Sequence, residues 1–192
     1  MTPIAVELPK AYRLLNHGPT VLVSSAHGAR RNVMAAAWNM ALDYTPAKVC
    51  VVIDKATFTR ELVDASGEFV LNVPQRDQAA AVLAAGHRSG REIADRDEGS
   101  DKFAALGLDT WPASRVAAPL VAGCLAWLEC RLIAEPHNQQ VYDLYIGEVL
   151  AAWADPRAFA HGHWLPDAAP SLHYIAGGSF FETGPVLNLP LR

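Results

Sequence analysis

Lys48-Val49-Cys50-Val51-Val52-Ile53 is a continuous, mostly β-branched run of strand length, and it constrains the fold more than any other segment. Six such residues in a row read as a core strand. Similar segments recur at short intervals. Thr20-Val21-Leu22-Val23-Ser24-Ser25 reads as a strand followed by a turn at Ala26-His27-Gly28-Ala29, and Glu68-Phe69-Val70-Leu71-Asn72-Val73 as another, stopped by Pro74. Asn32 to Leu42 is alanine-rich, but it is of strand length and lies between turn signals, so a strand is expected there. Val116 to Ile133 contains a long alternating segment, with Cys124, Ala126, Leu128, Cys130 and Leu132 on one face and Trp127, Glu129 and Arg131 on the other. A turn at Glu135-Pro136-His137-Asn138 then leads to a strand over Gln139 to Trp153, interrupted near Gly147, which makes a hairpin. A last strand-like patch spans Leu172 to Ile175.

Helical segments are few and short. Pro9 to Leu15 is one, ended by Asn16-His17-Gly18-Pro19. Thr57 to Ala65 is another, with Leu62 and Val63 on its buried side and Gly67 as its stop. Asp77 to Ala85 follows, with Asp77 as a cap, and Ser100 to Leu106 is a short helix capped from Ser100-Asp101. His87 to Gly99 reads as a charged surface loop. Strands and helices do not alternate as crossover units, which argues against a Rossmann fold. A closed antiparallel barrel with short peripheral helices is expected, as one domain over residues 1–192.

The balance of charge narrows the function. Sixteen basic against twenty acidic residues give a net charge of −4, which offers no excess for binding nucleic-acid phosphates. No apolar run approaches the roughly 20 residues of a membrane span, and Met1 to Lys10 lacks a signal-peptide core, so a cytoplasmic protein is expected. Cys50, Cys124 and Cys130 are odd in number and lack C-x-x-C spacing, which suits buried free thiols. His161-Gly162-His163 pairs two imidazoles, but no nearby carboxylate or cysteine completes a ligand set.

The stretch from Arg31 to Thr59 carries the most chemistry. Asn32 follows a turn and opens an apolar strand; its amide can read the edge of a heteroaromatic ring, and would equally serve a turn. Lys55, Thr57 and Thr59 stand where a strand hands over to a helix. Two hydroxyls and an ammonium at a helix N-terminus suit a phosphate monoester, and would equally be capping residues with a solvated lysine. Trp38 and Tyr174 can flank a planar ring or pack in the core. There is no Walker pattern and no G-x-S-x-G elbow.

Four ordered groups of segments resemble the flavin reductase-like family of FMN-binding split barrels, especially its flavoredoxin-type branch. The first is Pro19 to Ser25 with Asn32-Val33-Met34-Ala35-Ala36-Ala37-Trp38. The second is Tyr44-Thr45-Pro46-Ala47 with Val49 to Ile53 and Thr57 to Leu62. The third is Gly67 to Pro74 with Asp101-Lys102-Phe103 and Gly107-Leu108. The fourth is Leu128-Glu129-Cys130 with Ile146 to Val149 and His173 to Gly178. The resemblance implies a mainly β, six-stranded Greek-key split barrel that binds FMN noncovalently as a homodimer, with the flavin near the subunit interface.

Carried over by position, Asn32, Val33 and Met34 would meet the isoalloxazine edge, and Ala36, Ala37 and Trp38 would line the adjoining strand. Asp54, Lys55, Thr57 and Thr59 would surround the ribityl chain and phosphate. His173 and Tyr174 would approach from the tail, and Gly90 and Arg91 would lie in a loop closing over the site. NADH, NADPH or a redox partner protein would supply electrons. Two-component reductases of this superfamily often carry hydroxyl residues beside the motif asparagine, where this chain has Val33 and Met34. That departure bears on reductase activity and leaves FMN binding intact. No side chain is required as general acid or base, because the flavin itself carries the redox chemistry. The alternatives are an electron carrier without turnover of its own, and a split-barrel binding module that has lost FMN.

Overall fold

The β-rich runs form the strands of a single antiparallel sheet that wraps round on itself. The computed structural model describes residues 2–15, 18–96, 101–187 and 189. The break expected at Asn16-His17 and the Asp97 to Ser100 portion of the expected loop and helix lie outside these residues. In chain order the elements are β1 (Ile4–Val6), α1 (Leu8–Ala11), β2 (Val21–His27), β3 (Arg30–Ala36), β4 (Asn39–Tyr44), β5 (Ala47–Val52), α2 (Phe58–Ser66) and β6 (Glu68–Val73). There follow α3 (Ala79–His87), α4 (Gly90–Arg96), α5 (Lys102–Ala105), β7 (Thr110–Trp111), β8 (Leu120–Val121), β9 (Ala126–Ile133), α6 (Pro136–Val141) and β10 (Leu144–Ala154). The small hairpins β11 (Phe159–Ala160) with β12 (His163–Trp164) and β13 (Leu172–Ala176) with β14 (Ser179–Glu182) complete the described chain.

The sheet runs in the order β3-β2-β6-β9-β10-β5-β4, and β1 adds to β10, giving eight strands. Its two ends, β3 and β4, are consecutive in sequence, so the corner at Ala37-Trp38 brings the sheet round. This corner also divides the single strand expected over Asn32 to Leu42. Asn39 fixes it, donating from Nδ2 to the Pro19 carbonyl at 2.8 Å, while the Trp38 carbonyl accepts from Val52 N at 3.0 Å.

Strand alternation sorts side chains into two cores. Val21, Val23, Val49, Val51, Phe69, Leu71, Leu128 and Tyr145 fill the barrel interior. Leu22, Val33, Val70 and Trp127 point the other way and pack with Val82 of α3 and Phe103 of α5. β10 crosses the sheet at Gly147 without interruption, contrary to expectation; its irregularity lies between Val149 and Ala151. A side chain at Gly147 has no room, because a Cβ there would lie 2.5 Å from the Phe69 ring.

Other expectations need correction. The long alternating segment is a strand only over β9, because a turn separates it from β8. On the outer face of β9, Trp127 and Glu129 are buried while Arg131 is exposed: the Glu129 carboxylate, fully enclosed, accepts from Ser114 N, Arg115 N and Trp153 Nε1 and so fixes the overlying loop. The expected turn at Glu135 to Asn138 is the start of α6, with Pro136 in its first turn, where a missing N–H costs nothing. α3 begins at Ala79 after a 3-10 turn over Arg76–Gln78, and the capping box of Gln75 and Gln78 closes that turn, with no side-chain cap from Asp77 on α3 itself. The three cysteines are buried and free, as expected. Among the described residues no helix is long and apolar enough to cross a membrane.

Candidate functional site

A groove of about 420 Å³ opens beside the β3–β4 corner. One wall is β3 and the corner, from Met34 to Trp38, continued by Val52 and Asp54. The opposite wall is α3, through Val82, Leu83, Gly86 and His87. The β13–β14 hairpin closes one side with Tyr174 and Phe180, whose rings meet edge to face at 5.4 Å. That hairpin is tied to the barrel by Tyr174 N donating to the Thr20 hydroxyl at 2.8 Å and Thr20 N to the Leu172 carbonyl at 2.7 Å.

The structure thus brings Met34, Ala36, Ala37, Trp38 and Asp54 together along one groove. Alternation along β13 puts Tyr174 there, while His173 is not among the lining residues. Lys55 is exposed beyond Asp54. Thr57 caps α2, its hydroxyl accepting from Arg60 N at 3.2 Å, and Asp54 Oδ1 accepts from Ala56 N at 2.7 Å. Asp54 therefore lies where the groove meets the N-terminus of α2, whose first-turn amides have no intrahelical partners.

Asn32, Val33 and Thr59 lie behind the groove and are buried. Asn32 Nδ2 donates to the Thr59 hydroxyl at 2.8 Å, joining β3 to α2. Asn32 Oδ1 is enclosed without a hydrogen-bond partner among the described residues, as is the hydroxyl of Ser25, its cross-strand neighbour. Gly90 covers Asn32: a Cβ on it would collide with Asn32 Oδ1 and lie 3.3 Å from the Phe58 ring. The expected loop after His87 is therefore helical from Gly90, because α4 starts on this contact. Arg91 secures it, pairing with Glu61 at 2.9 Å over the Phe58 ring, and Arg30 shares Glu61 from the other side at 2.8 Å.

The α3 wall escaped sequence reasoning. Val82, Leu83, Gly86 and His87 carry no motif; the only available signal was a small residue followed by an imidazole at the end of an alanine-rich helix. Lys102 lies in α5, within the short helix expected over Ser100 to Leu106. It is 3% exposed, and its Nζ donates to the Ala85 carbonyl at 2.7 Å, just behind Gly86. Burial, helped by the nearby Arg88 charge, pushes its pKa down to about 8.

A groove with apolar walls and aromatic edges, of a volume within the roughly 300–1,000 Å³ range of small-molecule sites, suits a planar heteroaromatic ligand. Its end at a helix N-terminus, with Lys55 and Thr57 beyond, suits a phosphate on that ligand. These residues fit FMN. The flavin reductase like domain matches residues 13–178, most of the chain. The chain belongs to the flavin reductase-like family. An FMN-binding domain of a flavin reductase-like enzyme from Shewanella baltica is 49% identical, with a TM-score of 0.92 and 98% of both chains covered. The flavoredoxin of Desulfovibrio vulgaris (Miyazaki F) is 27% identical, with a TM-score of 0.76 and 90% of both chains covered. The Escherichia coli protein YddH is 41% identical over 94% of this chain and 95% of its own. The mainly β split barrel expected from the sequence is thus the fold of this flavin reductase-like protein.

Proposed function

We propose that the protein is an FMN-dependent oxidoreductase that passes electrons from NADH, NADPH or a small redox protein through bound FMN to an acceptor. The groove carries this reading: its apolar walls end where a helix N-terminus can meet a phosphate. The ring would lie between Met34 to Ala37 and Leu83, with Trp38, Tyr174 and Phe180 at its edges. Asp54, Lys55 and Thr57 would hold the ribityl chain and phosphate. Asn32 and Thr59 would hold β3 and α2 in register behind the ring. Bound FMN supplies the hydride and electron chemistry; the chain orients it and keeps water from its faces. The likeness to an FMN-binding domain supports the cofactor, and the likeness to a flavoredoxin supports a redox protein as electron source.

The working unit in this reading is a homodimer. The edge strand β4 and the corner before it leave Trp38, Met40, Leu42 and Tyr44 exposed, at 75%, 55%, 46% and 62%. An exposed apolar row on a sheet edge is costly for a lone chain. Trp38 also lines the groove, so a second copy on this face would cover the groove's mouth. Replacing Met40 and Leu42 together by Glu should convert a dimer to a monomer in sedimentation; a parent chain that sediments as a monomer would contradict this part of the reading.

The first experiment is the visible spectrum of the purified protein with FMN, then with NADH or NADPH. A bound yellow flavin that bleaches with a nicotinamide supports the oxidoreductase. Bleaching only with dithionite favours an electron carrier, and no uptake of FMN removes the flavin reading.

A further inference from the structure

The C-terminal end of α3 gathers three basic groups, one of them at the groove wall. His87 lines the groove. Arg88 follows it, its guanidinium donating to the Ala105 carbonyl at 3.2 Å. Lys102 reaches in from α5 to the Ala85 carbonyl. Among the described residues, Asp101 pairs with Arg31, and Glu61 with Arg30 and Arg91. Of the other elements around His87, β3 contributes Met34, Ala35 and Ala36, which carry no charge. The hairpin contributes Tyr174 and Phe180, and the β5–α2 turn contributes Asp54 on the opposite wall. Among the described residues that line the groove, His87 is therefore the one basic side chain. It stands at a helix C-terminus, where a cation is favoured.

We propose that His87 is the groove's charge-holding residue: as an imidazolium it stabilises negative charge that a ligand acquires on reduction. The proposal rests on the flavin reading of the groove. Reduction of a flavin by hydride from a nicotinamide adds two electrons and one proton, so the ring gains one negative charge. A charged His87 beside the ring would offset it, favouring reduced over oxidised FMN. Lys102, held behind the wall on a backbone carbonyl, would keep the local field positive without facing the ligand.

The test is the midpoint potential of the FMN-loaded protein at one fixed, mildly acidic pH. It compares the parent chain with His87→Gln and His87→Lys. His87 is exposed, so neither variant threatens the fold. His87→Gln should lose about tenfold in the preference for reduced over oxidised FMN, about 30 mV for a two-electron couple. His87→Lys, which keeps a cation at that position, should keep the parent's preference. Identical potentials for the parent and His87→Gln would overturn the proposal while leaving the flavin site standing. A parent chain that takes up no FMN would overturn the flavin reading and this proposal with it.

Discussion

Asn32 Nδ2 donates to the hydroxyl of Thr59 at 2.8 Å, inside a contact that neither solvent nor the groove reaches. The pair fastens the strand that walls the groove to the helix whose N-terminus ends it. Thr59→Ala would leave a buried amide donor unpaired, at a cost of about 1–3 kcal/mol. Thr59→Ser should keep most of that stability. Urea unfolding of both variants checks this. Since Thr59 is closed off from the groove, Thr59→Ala should weaken FMN and riboflavin by the same factor. A loss confined to FMN would show instead that the hydroxyl serves the phosphate.

Gly90 makes a second prediction from the same contact. A methyl group there collides with Asn32 Oδ1, so Gly90→Ala must displace the first turn of α4 and strain the Arg91–Glu61 pair. Overpacking of this kind costs about 1–3 kcal/mol. Gly86→Ala is the control, since its Cβ would lie an ordinary 3.7 Å from that of Ala35. Within a helix it should gain up to about 1 kcal/mol. Thermal unfolding that ranks the two variants the other way would contradict the covering role of Gly90.

Lys102 gives a pH dependence with a definite sign. Its folded pKa is about 8, against an ordinary 10.5. Between those values the unfolded chain binds a proton that the folded chain does not, so this group makes stability rise with pH across that window and leaves it flat below. The full swing is roughly 3 kcal/mol at most. Lys102→Met should remove that component, seen as the difference between parent and variant urea midpoints from about pH 7 to about pH 10. A difference that stays constant with pH would mean that the amine is not strained by burial.

Local chemistry made part of this structure readable. The β-branched run became β5, Thr57 caps α2 as its type and position suggested, and Asp101 caps α5 by accepting from Ala104 N. All but one of the differences share a cause: a long-range contact decided the local form. Nothing in Ala37-Trp38 marks a corner, because the corner is held by Asn39 reaching Pro19. Arg91 and Glu61 lie 30 residues apart, yet together with Gly90 on Asn32 they hold the start of α4. Pro136, by contrast, was a helix-start signal read as a turn. For the site, the β3 wall could be found from the motif around Asn32, while the α3 wall could not. Leu83 and His87 face the groove only because α3 packs across β3.

If the groove between β3 and α3 holds FMN, filling the groove must abolish binding. FMN fluorescence should be titrated with the parent chain and with Gly86→Phe, whose side chain would project from α3 toward Ala35, with far-UV circular dichroism confirming that the variant folds. Saturable quenching at one FMN per chain is expected for the parent, and its loss in the folded variant. Unaltered FMN binding by the folded Gly86→Phe protein would place the flavin elsewhere.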